Sequence, residues 1–187
     1  MRSVIYIRGV RIENAFDVEA SPDVAWALLT DVPRVVPCMP GAELERVVDE
    51  RTWQVLQKVK LGPISLQFRS EVTQEQLTEA DGLAVLAVTA KEVRGRGGAD
   101  ATIRSRLAST ETGTHVSLVT ELDLRGAVAQ YGRPVVGSVA EELTKQFAAC
   151  LAEMLADERP AKEASPSKPV GGLRLLLRSL WDRVFRR

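Results

Sequence analysis

Between residues 43 and 125 the chain alternates apolar and polar side chains through six consecutive stretches, roughly 43–49, 52–60, 64–78, 83–94, 98–109 and 114–125. A period of two is the signature of a strand with one apolar and one wet face, and short turn-rich breaks between such runs join neighbours as antiparallel hairpins. In the sixth run Val116, Leu118, Thr120, Leu122 and Leu124 point one way, while His115, Ser117, Glu121 and Asp123 point the other. The third run, with Ile64, Leu66 and Phe68 set between Ser65, Gln67 and Arg69, repeats the pattern. A six-stranded meander of this kind has a single apolar face and needs something to cover it. Residues 134–156 supply the cover: Val135, Val139, Leu143, Phe147, Cys150, Leu151 and Met154 recur at helical spacing over a long element that opens with Arg133-Pro134.

Upstream of the meander, VRIENAFDV reads as a first strand over Val10–Val18, with Val10, Ile12, Phe16 and Val18 in phase and either Asn14 or Ala15 completing the row. A helix start follows, with Ser21 as N-cap, Pro22 at the first helical position and Asp23 in the first turn. Pro33, Pro37 and Pro40 break the next segment into a stiff corner that ends at Gly41. At 187 residues, 45% hydrophobic and 27% charged, the chain has room for one core plus an appendage. The expected organisation is a dispensable start-site extension over 1–9, a folded body over 10–156, a linker over 157–170 and a basic helix over 171–187.

Twenty-five basic and 25 acidic residues leave no net field to recruit nucleic acid. Residues 1–156 nevertheless carry 17 basic against 21 acidic side chains, whereas residues 171–187 carry five arginines against Asp182. Cys38 and Cys150 are far apart and belong to no CxxC, which favours two free thiols in a reducing compartment over a disulfide or a metal site. The N-terminus lacks the long apolar stretch and small-residue cleavage site of a secretory signal, so an intracellular protein is expected. Catalytic groups do not converge. His115, the one histidine, falls on the wet face of its strand, and Cys38 in PCMPG has no nearby histidine and no helix N-terminus to activate it. Glu13, Asp31 and Glu43 specify no common site, and the glycines of RGRGGADAT lie between two strands, which makes a bulged hairpin turn rather than a phosphate loop.

Five ordered blocks carry a family resemblance: DVPRVVPCMPGAEL (31–44), KLGPISLQF (60–68), RGRGGADAT (94–102), GAVAQYGR (126–133) and LTKQFAACLAEML (143–155). Together they resemble the carbon monoxide dehydrogenase CoxG family of the START-like (SRPBCC) superfamily. The resemblance implies an α+β helix-grip fold, a curved antiparallel sheet wrapped around a long C-terminal helix, with an apolar cavity and no catalytic activity. It also implies a partner, a carbon monoxide dehydrogenase-type molybdenum hydroxylase, and a role in its membrane recruitment or quinone coupling. On that reading the cavity is lined by Trp53, Val55, Leu66, Phe68, Ile103, Leu118 and Leu122 from the sheet and Val135, Val139, Leu143 and Phe147 from the helix. Pro37 and Met39 lie at one end, and Tyr131 offers a hydroxyl to the ligand head. Periodicity alone cannot separate this arrangement from a filled core. The inventory suits a hydrophobic small molecule, a lipid or more specifically a quinone (menaquinone or ubiquinone), because a prenyl chain needs only burial and no cation for a fatty-acid carboxylate is evident inside. The alternative is an assembly or anchoring factor for the oxidoreductase that carries no ligand.

The segment DERPAKEASPSKPVGG is rich in Pro, Ser, Gly and charge and reads as a flexible linker. In LRLLLRSLWDRVFRR, Leu173, Leu176, Leu177, Leu180, Trp181 and Val184 share one helical face, Phe185 widens it, and Arg174, Arg178 and Arg183 supply positive charge. It is too short and too interrupted by arginine to span a hydrocarbon layer of about 30 Å, but has the composition of an interfacial helix. Reversible attachment to an anionic membrane surface is expected, on the inner face of the cytoplasmic membrane. Docking in a groove of a partner protein or folding back on the acidic body are the competing readings.

Overall fold

Each of the six alternating runs is a strand in the computed structural model, which describes residues 5–61 and 64–157. They are β2 (Ala42–Asp49), β3 (Thr52–Leu61), β4 (Ile64–Thr78), β5 (Leu83–Glu92), β6 (Gly97–Ser109) and β7 (Thr114–Gly126), each paired antiparallel with the next. The first strand, β1 (Tyr6–Val18), crosses to the far side and pairs antiparallel with β7, giving one seven-stranded sheet in the order β1-β7-β6-β5-β4-β3-β2. β1 starts four residues upstream of the expected Val10: Tyr6 and Ile7 pair with Arg125 and Leu124. The register then slips between Ile7 and Val10, where Gly9 takes a φ of 64° and its N–H donates to the Asp123 carboxylate at 2.8 Å. A glycine in left-handed geometry is what such a bulge calls for. Residues 6–9 are therefore part of the folded sheet rather than an appendage.

Two short helices, α1 (Pro22–Leu29) and α2 (Val32–Val35), and a 3-10 turn over Val36–Cys38 connect β1 to β2. Proline occupies an early position of all three elements, where its missing N–H costs nothing. Asp31 caps α2 by accepting from the Arg34 N–H at 3.3 Å, whereas the Ser21 side chain makes no cap bond on α1. Buried Gln74 ties the corner to the sheet by donating to the Thr30 carbonyl at 2.9 Å.

The chain leaves β7 through a 3-10 turn over Ala127–Tyr131 and enters α3 (Gly132–Asp157). Gly97 and Gly126 let β6 and β7 begin and end in close contact, since a β-carbon on Gly126 would lie 2.7 Å from the Gly97 α-carbon. Helix α3 runs alongside β1 in the same direction. Arg133 donates to the Arg8 carbonyl at 3.2 Å near its start, and Phe147 packs edge-on against Phe16 further along, with ring centroids 6.2 Å apart at 82°. This is the helix-grip arrangement that the order of elements implies.

The two cysteines correct the sequence reading. Cys38, in the turn before β2, and Cys150, in α3, form a disulfide with α-carbons 5.3 Å apart across a separation of 112 residues. Spacing along the chain is no guide to this distance, because the corner and the helix are brought together by their apolar faces: Cys38, Leu28, Val35, Val18, Leu151 and Leu155 form one buried cluster.

Candidate functional site

Register fixes which residues share the concave face. From β1 across to β3, one row reads Val10, Leu122, Ala101, Val88, Val72, Trp53, and the next Ile12, Thr120, Ile103, Leu86, Gln74. Beyond them lies Asn14, Leu118, Ser105, Ala84. Apart from Asn14, Gln74 and the two small hydroxyl residues these rows are apolar, and they carry no charge.

The buried clusters sit around this area rather than on it. The first, with Leu151 fully buried, joins α1, α2 and the C-terminal half of α3. A second gathers Leu66, Phe68, Ala90, Leu124, Val128 and Ala129, with Leu122, Tyr131 and Val136 packed on its edge. A third gathers Val32, Val36, Trp53 and Val55 beneath the corner. Ile12, Val88, Ile103, Leu118, Val139 and Leu143 belong to none of the three and are only half-buried. A closed protein interior packs such side chains to near-crystalline density. Here the middle of the concave face and the overlying face of α3 keep apolar surface free.

This surface opens sideways. Between β1 and α3, from Gly9 and Arg133 at one end to Phe16 and Ala148 at the other, runs a groove of 960 Å³, within the size range of pockets that hold small organic ligands. Its length is that of seven strand residues, roughly 23 Å. Val10, Ile12 and Phe16 contribute apolar floor, whereas Arg11, Glu13, Glu141 and Lys145 contribute charge to its walls.

The side chains expected to line a cavity divide among these features. Val139 and Leu143 on α3, with Ile103 and Leu118, are the half-buried residues of the open middle. Leu66, Phe68, Leu122 and Tyr131 meet in the second cluster, Trp53 and Val55 in the third, and Phe147 in the first, so these close the ends of the cup. Two positions are corrected. Val135 is 40% exposed, because the buried row of α3 runs through Val136, Phe147 and Leu151, one residue out of phase with it. Pro37 is exposed because its neighbours Val36 and Cys38 take the inward side of the 3-10 turn, while Met39 is half-buried. The membrane-binding residues expected over 173–185 lie outside the described residues.

Sequence reasoning missed one polar feature at the end of the face. The Glu92 side chain is fully buried, accepts from the N–H groups of Arg94 and Arg96 at 2.8 and 3.1 Å, and pairs with the Arg96 guanidinium at 2.7 Å. The guanidinium hydrogen bond, foremost, and the two backbone donors outweigh burial and hold the Glu92 carboxyl down at about 2. Arg96 also reaches the Ser65 carbonyl at 3.2 Å. RGRGGADAT thus builds the turn between β5 and β6, as expected, and its anion is an internal carboxylate. His115 is exposed and bonded to Asp17 at 2.7 Å. Among the described residues no group of three His, Cys, Asp or Glu side chains is placed to hold a metal ion, and no helix is long and apolar enough to cross a membrane.

The family model of the carbon monoxide dehydrogenase protein CoxG matches residues 15–156. No curated protein matches the chain. Among solved structures, a conserved protein from Geobacillus kaustophilus superposes with a TM-score of 0.71 at 16% identity, covering 79% of this chain and 95% of its own. TTHA0849 from Thermus thermophilus gives 0.56 at 13% identity, with 79% and 99% covered. The Zhui aromatase/cyclase from Streptomyces sp. R1128 gives 0.54 at 16%, with 85% and 98% covered. At such identities the likeness is one of fold, the START-like helix grip, and says nothing of activity.

Proposed function

The chain belongs to the carbon monoxide dehydrogenase CoxG family, and from that premise we propose that it is a non-catalytic carrier of a hydrophobic ligand, a respiratory quinone, that serves a carbon monoxide dehydrogenase-type molybdenum oxidoreductase at the membrane. The observation that carries the ligand is the uncommitted apolar middle of the concave face, continuous with an elongated groove of 960 Å³. Burial of apolar surface is worth about 25 cal/mol per Å², so a prenyl chain laid along that groove gains several kcal/mol without any directed contact. The sequence from 171 onward supports the membrane part of the reading, through arginines that each contribute on the order of 1 kcal/mol near an anionic leaflet and through Trp181 and Phe185 at the headgroup boundary.

Solvent extraction and mass spectrometry of the protein purified from a quinone-producing bacterium tests this. One quinone per chain is expected, lost when Leu143→Asp places a charge over the open middle. A blank extract that persists after incubation with added quinone would leave the family's role to anchoring or assembly without a ligand.

A further inference from the structure

We infer that Asn14 and Thr120 form the head-group site of this cup, a pair of neutral donors for a carbonyl or hydroxyl oxygen of the ligand; the assignment rests on the ligand-carrier reading above. Both side chains point from the concave face, on the two rows that cross its open middle. Asn14 faces Leu118, and Thr120 faces Ile12, so the two polar residues are diagonal neighbours across the β1–β7 ladder. Diagonal positions lie about 7–8 Å apart, which is long for a good direct bond between these short side chains. An acceptor oxygen above the pair, towards α3, can lie about 2.9 Å from each. Neither makes a side-chain hydrogen bond to another described residue, and both are half-buried among Ile12, Leu118 and Leu122. Asn14 also lines the groove, opposite Thr144 of α3, so a ligand entering along β1 meets it directly.

Two unpartnered amide or hydroxyl groups in an otherwise apolar patch are costly to cover with hydrocarbon alone, because covering strips their water without replacing it. They therefore select a ligand whose polar end reaches this point and whose remainder is apolar. Charge selects the class further. The described charged groups nearest the open middle lie on the groove walls, as Arg11, Glu13, Glu141 and Lys145, and at the far end Arg96 is already paired with Glu92. A fatty-acid carboxylate finds no cation beside Asn14 and Thr120, whereas a neutral carbonyl finds two donors. This places the head near the middle of the cup, not at Tyr131, which packs into the second cluster at its end.

The full chain is titrated with three probes: a naphthoquinone bearing a farnesyl chain, a hydrocarbon of the same length without oxygen, and a long-chain fatty acid. The wild type is expected to prefer the quinone. Asn14→Leu and Thr120→Val should each weaken quinone binding roughly three- to tenfold, leave the hydrocarbon unchanged or tighter, and leave the fatty acid unchanged. Thr120→Ser, which keeps the hydroxyl, should retain quinone affinity. Hydrocarbon binding by the variants serves as their folding control. Equal losses for quinone and hydrocarbon, or no loss for quinone, overturn the head-group assignment and leave the carrier reading standing. Failure of the wild type to bind either probe overturns the carrier reading and this assignment with it.

Discussion

Reduction of the Cys38–Cys150 disulfide is the most quantitative perturbation this fold offers. The bridge closes a loop of 112 residues, and in the chain-entropy account a loop of that length restricts the unfolded chain by about 5 kcal/mol. Native-state strain and residual unfolded structure make that an upper figure, and half of it is a safe floor. In a domain of this size each kcal/mol moves the melting temperature by about 2–4 °C, so reduction should lower it by roughly 5–20 °C. Thermal melts with and without a phosphine reductant measure this directly. Cys38→Ala/Cys150→Ala provides the control, with a lowered melting temperature that no longer responds to reductant. The reduced protein should stay folded at 25 °C, because Leu28, Leu151 and Leu155 still hold α3 to the corner through apolar contact. A wild-type shift below about 3 °C, with the bridge shown intact beforehand, would refute the claim that it restrains the unfolded chain across most of the domain.

Other expectations are simpler to read. Leu151→Ala, at a fully buried position between helix and corner, should cost about 2–5 kcal/mol in denaturant unfolding, whereas Val135→Ala, on the exposed side of α3, should cost under about 1. The Glu92 carboxyl is depressed in the folded state, so the stability it contributes is present above its ordinary value of 4.5 and is lost as pH falls towards about 2. Denaturation midpoints of wild type and Glu92→Gln should therefore converge over that window, and a gap that stays constant from pH 6 to 2.5 would contradict the assignment. Deleting residues 171–187 should abolish sedimentation with anionic vesicles while leaving the melting temperature of the body unchanged, and retained sedimentation would move the membrane contact elsewhere.

The six-strand meander is legible because each run keeps strict alternation and each break carries its turn residues, so the period alone supplies both strand and face. Pairing of β1 with β7 is not, since nothing local in VRIENAFDV says which edge it will join. The same holds for Cys38 and Cys150, which meet only after the corner and α3 have been packed. Val135 and Val136 are both apolar, and periodicity cannot set the helix phase between them; the contacts of Val136 with the second cluster do. Asn14 is the instructive case. It interrupts the apolar row of β1 and leaves the choice between it and Ala15 open, yet a polar residue on the apolar parity, repeated as Thr120 on the neighbouring strand, is the signal for the site.

The order of the sheet also sets a timetable for the ribosome. Val10 must wait for Leu122 before β1 has any partner, and the opposite wall of the groove, α3, emerges later still. At about 5–20 residues per second, the first strand spends roughly 6–22 s outside the tunnel with an unpaired edge and an uncovered apolar row. Its charged Arg11, Glu13 and Asp17 are suited to that interval, since charges on a waiting strand discourage pairing with the wrong neighbour. A nascent chain stopped before residue 132 has every strand but only one wall of its groove, so the capacity to hold a ligand there arrives last, with the helix that completes it.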